Sequence, residues 1–154
     1  MAADMADGWA IRPPAPGDAP QLLELMLAHA RRQDMPDDIL TLEKLTAALF
    51  SQPPLISCLL AQDGGDLIGY ALHHPCWDAP FAARGVTMTE LYVSPRHRRR
   101  GVGRGLIQHL EKSAKDSGGT FMHWAVAPEN TDALEFYGAI GAKRRLILSH
   151  VLTF

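Results

Sequence analysis

Cysteine is nearly missing from this chain. Its 154 residues hold two, Cys58 and Cys76, with no Cys-x-x-Cys pair and hence no disulfide framework. A reducing compartment is the simplest setting for such usage. Long apolar runs are missing as well: nothing approaches the ~18 residues that a membrane span requires. Met1 to Asp7 is small and acidic rather than a charged-then-apolar leader. The expectation is a cytoplasmic protein, with residues 1–7 a flexible N-terminus and residues 8–154 a single domain. A large charge of one sign is the third absence. Fifteen Lys and Arg against seventeen Asp and Glu leave a net charge of -2, which argues against a protein made to coat nucleic acid or an anionic membrane. A chain of this size buries roughly 68–70% of the surface its unfolded form exposes, so a core forms without disulfides or a structural metal.

What is present is unevenly placed. Residues 96–104, Arg-His-Arg-Arg-Arg-Gly-Val-Gly-Arg, carry five of the fifteen basic side chains, and no acidic residue lies between Glu90 and Glu111. The other ten basic residues face seventeen acidic ones, so the remainder of the chain carries about -7. A compact anion site on an acidic body follows.

Trp9 to Arg12 reads as a first strand stopped by Pro13 and Pro14. Leu22, Leu25, Met26 and His29 fall at helical spacing after Gly17 and Asp18, and Leu42, Leu45 and Leu49 mark a second helix. Strands are expected over residues 55–61 and 67–73, joined by an Asp-Gly-Gly turn. A Pro/Gly-rich loop over 75–85 precedes a strand over 86–93. A helix starting near Gly101 carries Val102, Leu106, Leu110 and Ala114 at intervals of four. A strand over 120–127, a helix with Ala133, Phe136, Tyr137 and Ile140 on one face, and an extended stretch over 146–152 complete the order. This is an α/β (α+β) chain: a mixed, mostly antiparallel sheet flanked by four helices.

Arg98-Arg99-Arg100-Gly101-Val102-Gly103 follows a strand and opens a helix, which gathers unpaired backbone N–H groups and a positive helix end where an anion can sit. Side chains at 101 or 103 would hold a phosphate away from those amides. Arg98, Arg99, Arg100 and Arg104 add charge-assisted bonds suited to a diphosphate. The run spells neither a dinucleotide-binding GxGxxG nor a GxxxxGK[ST] loop.

Glu90-Leu91-Tyr92-Val93-Ser94-Pro95, then Arg98-x-x-Gly101-x-Gly103, then Asn130-x-x-Ala133-x-x-Phe136-Tyr137-x-x-x-Gly141-Ala142, resembles the GNAT superfamily of acyl-CoA-dependent N-acetyltransferases. Met122 to Val126 and Pro53-Pro54 are most similar to the branch containing diamine (spermidine/spermine) and thialysine acetyltransferases. The resemblance implies acetyl-CoA as co-substrate, no metal, and direct transfer to a primary amine, a small polyamine, diamine or lysine-like acceptor, in a ternary complex. It implies that the amides of Arg98, Arg99, Arg100, Gly101, Val102, Gly103 and Arg104 hold the pyrophosphate and that Leu91, Tyr92 and Val93 pair with the pantetheine arm. The Leu91 amide would polarise the thioester carbonyl. Asn130 would touch the cofactor or simply cap its helix. Tyr137 would protonate the leaving thiolate and Glu90 would take the amine's proton, directly or through water. Where the diamine branch has an acidic pair before Leu-Tyr-Val, this chain reads Thr89-Glu90. A homodimer is what the resemblance suggests; nucleic acid and membrane are not expected partners. A protein or peptide acceptor and a non-catalytic acyl-CoA-binding module are the rival readings.

Other constellations are bland. Asp34, Asp37 and Asp38 read as a solvated turn or a lure for a cationic amine, and Trp77, Asp78 and Phe81 as acceptor-pocket or loop-packing residues. His73, His74 and Cys76 lack a second ligand pair at zinc spacing. His123, alternating with apolar neighbours, reads as a packed histidine.

Overall fold

In a computed structural model, which describes residues 8–154, the hydrophobic periods become nine elements. They are β1 (Trp9–Arg12), α1 (Ala19–Arg32), α2 (Leu42–Phe50), β2 (Ser57–Asp63), β3 (Asp66–Asp78), β4 (Ala83–Val93), α3 (Val102–Asp116), β5 (Phe121–His123) and α4 (Thr131–Ala139), with 3-10 turns at Pro16–Asp18 and Pro95–His97. The flexible-terminus expectation concerns residues 1–7 and lies outside the described residues. The chain forms two compact units, one ending at Trp124 and one of Ala125–Phe154.

The sheet of the first unit runs β1-β2-β3-β4-β5. Every neighbour is antiparallel except the β4–β5 pair, which is parallel and covers only Gly85–Phe121 to Thr87–His123. Side chains alternate between the two faces of a strand. Cys58 and Leu60 of β2 and Tyr70 and Leu72 of β3 therefore share one face, where they close a core with Leu22 of α1 and Leu45 and Leu49 of α2. On the other face α3 crosses all five strands and buries Val102, Leu106, Leu110 and Ala114, one residue per turn. Burial of each of the three branched side chains contributes about 1.5–3 kcal/mol against exposure. Helix starts follow local chemistry: the Thr41 hydroxyl caps α2 by accepting from the Lys44 amide at 3.3 Å.

Three expectations change. The loop over 75–85 is instead the end of a long hairpin, with β3 reaching Asp78 and β4 beginning at Ala83. Pro75 is tolerated because β2 pairs with β3 only as far as His73, so beyond it β3 has β4 on one side alone. The strand over 120–127 shrinks to Phe121–His123. The extended stretch over 146–152 forms no strand. Leu146, Ile147, Leu148, Val151 and Leu152 are exposed, so the run buries too little apolar surface to offset the entropy of ordering it as a strand. In the second unit, α4 starts at Asn130, whose side chain accepts from the Ala133 amide at 3.2 Å.

Candidate active site

From β4 the chain passes through Pro95–His97 into the turn ahead of α3. Two successive departures into left-handed backbone shape this turn, Arg99 at φ +59° and Gly101 at φ +78°. Arginine occupies that region at a cost of about 1–3 kcal/mol, which the surrounding contacts must offset. Gly101 is the N-cap of α3 and has no side chain to cap it, so the first-turn amides are left as donors at the positive end of the helix. Alternating conformations of this kind make an anion-binding concavity. The guanidinium groups are partly committed elsewhere. Arg98 Nε donates to the Val93 carbonyl at 3.0 Å and the group lies 5.9 Å from the Tyr92 ring centroid, whereas Arg100 pairs with Asp63 at 3.3 Å. Arg99 and Arg104 are exposed.

Beyond Thr87, β4 outruns β5, so its outer edge from Met88 to Val93 has no strand partner among the described residues. Which amides face that edge follows from one bond. Ser94 N–H donates to the Ile68 carbonyl of β3 at 2.9 Å. Backbone groups alternate sides along a strand, so Glu90 and Tyr92 face β3 while Leu91 and Val93 face outward. The Val93 carbonyl, bonded to Arg98 beyond the strand, agrees with that assignment. The strand edge and the first turn of α3 thus offer a row of donors suited to an extended amide chain ending in a diphosphate, which is the chemical form of coenzyme A.

Glu90 reaches its place through a bulge. Leu72 pairs with Glu90 but His73 pairs with Met88, leaving Thr89 as the extra residue, its hydroxyl donating to the Leu72 carbonyl at 3.4 Å. Met88 and Val86 consequently face α3, and Glu90 and Tyr92 face α1. There Tyr70 O–H donates to Glu90 Oε2 at 2.6 Å, and His29 Nδ1 lies 3.0 Å from the Tyr70 oxygen and 3.5 Å from Glu90 Oε2. His29 stacks on Tyr92 with centroids 4.8 Å apart, and its Nε2 meets the Gln33 amide. Burial pushes the Glu90 carboxyl up, but the nearby His29 ring and the Tyr70 hydroxyl together outweigh it and hold it below the ordinary carboxylate value. Burial, with Glu90 beside it, pushes the Tyr70 phenol far up. Glu90 is therefore a half-buried, ionised carboxylate facing an aromatic wall.

Neither His29 nor Tyr70 was singled out as a site residue from the sequence. The available signal was a histidine on an otherwise apolar helix stripe, because a partly buried imidazole needs polar partners.

In the second unit, Tyr137 is half-buried on α4, its ring 5.2 Å from that of Phe136. Burial pushes its phenol up to about 12. Asn130 serves as the N-cap of α4. Among the remaining candidates, Asp37 pairs with Arg31 at 3.0 Å, and Asp34 and Asp38 are exposed. Trp77 and Phe81 stand exposed on the β3–β4 hairpin. Trp77 borders a groove of about 660 Å³ with His73, Val86, Leu110 and Ala114, on the α3 face of the sheet and away from Glu90. His123 Nε2 meets the Thr87 hydroxyl at 2.7 Å. No group of three or more His, Cys, Asp or Glu side chains able to hold a metal ion occurs among the described residues, and none of their helices is long and apolar enough to cross a membrane.

A family model, the Acetyltransferase (GNAT) family, matches residues 19–142. The chain belongs to the GNAT family. It is thus an acyltransferase of a family that uses acetyl-CoA as co-substrate. Its relatives include the thialysine N-epsilon-acetyltransferase of Bos taurus, 28% identical over 142 residues, covering 86% of this chain and 83% of the relative. The Sus scrofa protein of the same name is 26% identical with the same coverage. Among solved GNAT-like structures, a ribosomal-protein-alanine N-acetyltransferase from Brucella melitensis biovar Abortus 2308 superposes with TM-score 0.75 at 21% identity, covering 95% of this chain and 99% of that one. An aminoglycoside acetyltransferase from an uncultured soil metagenomic sample, in complex with trehalose, reaches TM-score 0.82 at 16% identity, covering 98% of this chain and 99% of that one. The structural likenesses establish the GNAT fold, and the acceptors named for those proteins are their own.

Proposed function

We propose that this GNAT enzyme transfers the acetyl group of acetyl-CoA directly to the primary amine of a small cationic acceptor, a polyamine, diamine or lysine-like molecule, within a ternary complex. The observation that carries the reading is the double character of β4. Its outer edge offers the outward amides of Leu91 and Val93 beside the uncapped turn from Arg98 to Arg104, and its inner face offers the Glu90 carboxylate. The pyrophosphate would rest on the amides of Gly101, Val102 and Gly103, flanked by Arg99 and Arg104; a cofactor contact for Asn130 is what the family resemblance implies. The pantetheine arm would lie along Leu91 to Val93, and the Leu91 amide would receive the negative charge that grows on the thioester oxygen. The 28% likeness to a thialysine acetyltransferase supports a lysine-like amine.

The proton inventory sets the roles. An alkylammonium near 10.4 cannot give its proton outright to a carboxylate held below its ordinary value, a gap of roughly 6 pKa units or about 8 kcal/mol. Solvent would therefore take the ammonium proton and free the nitrogen lone pair, and Glu90 would hold the amine and take its second proton, directly or through water, as the N–C bond forms and the nitrogen turns acidic. The C–S bond then breaks, and the Tyr137 phenol gives its proton to the departing sulfur; solvent returns a proton from Glu90 to Tyr137. The phenol's raised pKa keeps it in the acid form but makes it a weaker acid than the departing thiol, so the transfer depends on the proton returned to it from Glu90. A homodimer is what the resemblance suggests, and a cytoplasmic setting is what the sparse cysteines favour.

The test is a screen of acetyl-CoA with polyamines, diamines, lysine analogues, aminoglycosides and peptides, read by thiol release and by mass of the product. A small cationic amine acetylated once per thiol released is expected. Transfer to peptides alone, or binding of acetyl-CoA without transfer to any amine, would overturn it.

A further inference from the structure

We propose that His29 is a positioning residue for acetyl transfer: through Tyr70 it fixes Glu90 as the anion that meets the acceptor amine. This rests on Glu90 serving the acceptor as set out above. Counting protons gives the chain of bonds its direction. Tyr70 has one hydroxyl proton, and at 2.6 Å from the carboxylate it belongs to Glu90. The Tyr70 oxygen can then only accept from His29 Nδ1 at 3.0 Å, which places a proton on Nδ1 and leaves Nε2 to accept from the Gln33 amide. The series runs Gln33 to His29 to Tyr70 to Glu90, with the carboxylate at its end. Geometry holds it rigidly. Tyr70 is fully buried, the His29 ring lies on Tyr92 at an interplanar angle of 22°, and Tyr92 is itself buried. The titratable groups around the cluster are His29 from α1, Tyr70 from β3, Tyr92 from β4 and Cys58 from β2. The buried Cys58 thiol is pushed up to about 12, chiefly by burial and further by Glu90, and so stays neutral. One oxygen of Glu90 is thus committed to Tyr70, and the partly exposed remainder of the carboxylate is left for a ligand.

The sign of the effect is fixed by the bonds that would be lost. Removing a donor to the ionised form raises the carboxyl's pKa, and because the carboxylate is the working form, activity should fade at a higher pH than in the wild type. Three variants decide it: His29→Ala, His29→Asn, whose side-chain amide can donate from the Nδ1 position, and Tyr70→Phe. Glu90 is titrated by carbon-13 NMR in glutamate-labelled protein, identified by its loss in Glu90→Gln, and kcat/KM for the amine is followed against pH with coenzyme A affinity measured alongside. His29→Ala and Tyr70→Phe should move the Glu90 titration and the acid limb of kcat/KM upward together. They should lower kcat/KM about tenfold to a hundredfold, the size of one charge-assisted hydrogen bond, with coenzyme A affinity within twofold. His29→Asn should return both readouts toward wild type, and His29→Ala/Tyr70→Phe should lose little more than either alone. An unmoved Glu90 titration in Tyr70→Phe and His29→Ala, or no rescue by His29→Asn, would overturn the proposal. Should His29→Ala fail to fold, Tyr70→Phe and His29→Asn still decide it. A wild-type enzyme that acetylates no small amine would instead refute the functional reading, while the NMR titration would still judge His29.

Discussion

Gly105, in the first turns of α3, offers the sharpest test of how this fold is packed. A Cβ added there would stand 2.6 Å from Cη2 and 3.0 Å from Cζ3 of Trp9, and 3.2 Å from Cδ1 of Ile11. Trp9 and Ile11 are 6% and 4% exposed, so neither can swing into solvent. Two effects oppose each other in Gly105→Ala. Helix propensity favours alanine by roughly 0.5–1 kcal/mol. Overpacking a rigid aromatic contact costs about 1–3 kcal/mol, and at 2.6 Å against an indole wedged between helix and strand the upper part of that range applies. The packing cost wins by about 1–2 kcal/mol, which in a chain of this length lowers Tm by about 2–8 °C. Thermal and urea unfolding followed by far-UV circular dichroism read the effect. The same substitution introduced into Trp9→Phe, which removes the far edge of the ring, should cost less than in the wild type, leaving a measurable coupling energy. A Tm that stays level or rises in Gly105→Ala would mean that β1 and α3 are not in contact as described.

Two further outcomes test the site. Tyr137→Phe should lower kcat by about 10²–10⁴-fold while coenzyme A affinity stays within twofold, as for loss of a general acid; undiminished turnover in steady-state assays would remove Tyr137 from that role. Because its phenol is pushed up to about 12, no loss of kcat on the alkaline side below about pH 11 should vanish in Tyr137→Phe. Gly103→Val should weaken coenzyme A at least tenfold, about 1.4 kcal/mol, by calorimetry, since a branched side chain in the first turn of α3 stands over the amide donors; wild-type affinity would refute the pyrophosphate assignment.

The helices were legible because each carries its own signals. The stripe of Val102, Leu106, Leu110 and Ala114 is buried as its spacing implies, and Thr41 and Asn130 cap as their residue types suggest. The long β3–β4 hairpin was not, because Pro75 and Gly85 read as loop residues. Gly85 is instead a strand position over which the Phe121 ring lies, only 2.4 Å from where a Cβ would stand. No local pattern shows that, since the two residues are brought together only by parallel pairing of β4 with β5. The basic glycine turn was legible from its charge and glycines as a strand-to-helix turn with an uncapped helix start. The division of its arginines between Val93, Asp63 and solvent depended on where the strands end.

The placement of Glu90 shows why a motif can point to the correct strand and still conceal the chemistry. Strict alternation puts Val86, Met88 and Glu90 on one face, and Val86 and Met88 do face α3. Had the period held, Glu90 would point into the packing beneath α3, where an ionised carboxylate has no partner and costs several kcal/mol. One extra residue, Thr89, reverses the sense of the strand, so that Glu90 meets Tyr70 and His29 on the α1 face while Leu91 and Val93 turn their amides to the open edge. Strand edge and carboxylate are thereby set within one residue of each other, which suits the proposed transfer from a thioester to an amine. The carboxylate that the diamine branch has in place of Thr89 would occupy the bulge itself. With threonine there, Glu90 is the one acidic side chain of β4, held in place by Tyr70 and His29, and on the proposed reading the electrostatics of amine recognition would rest on it.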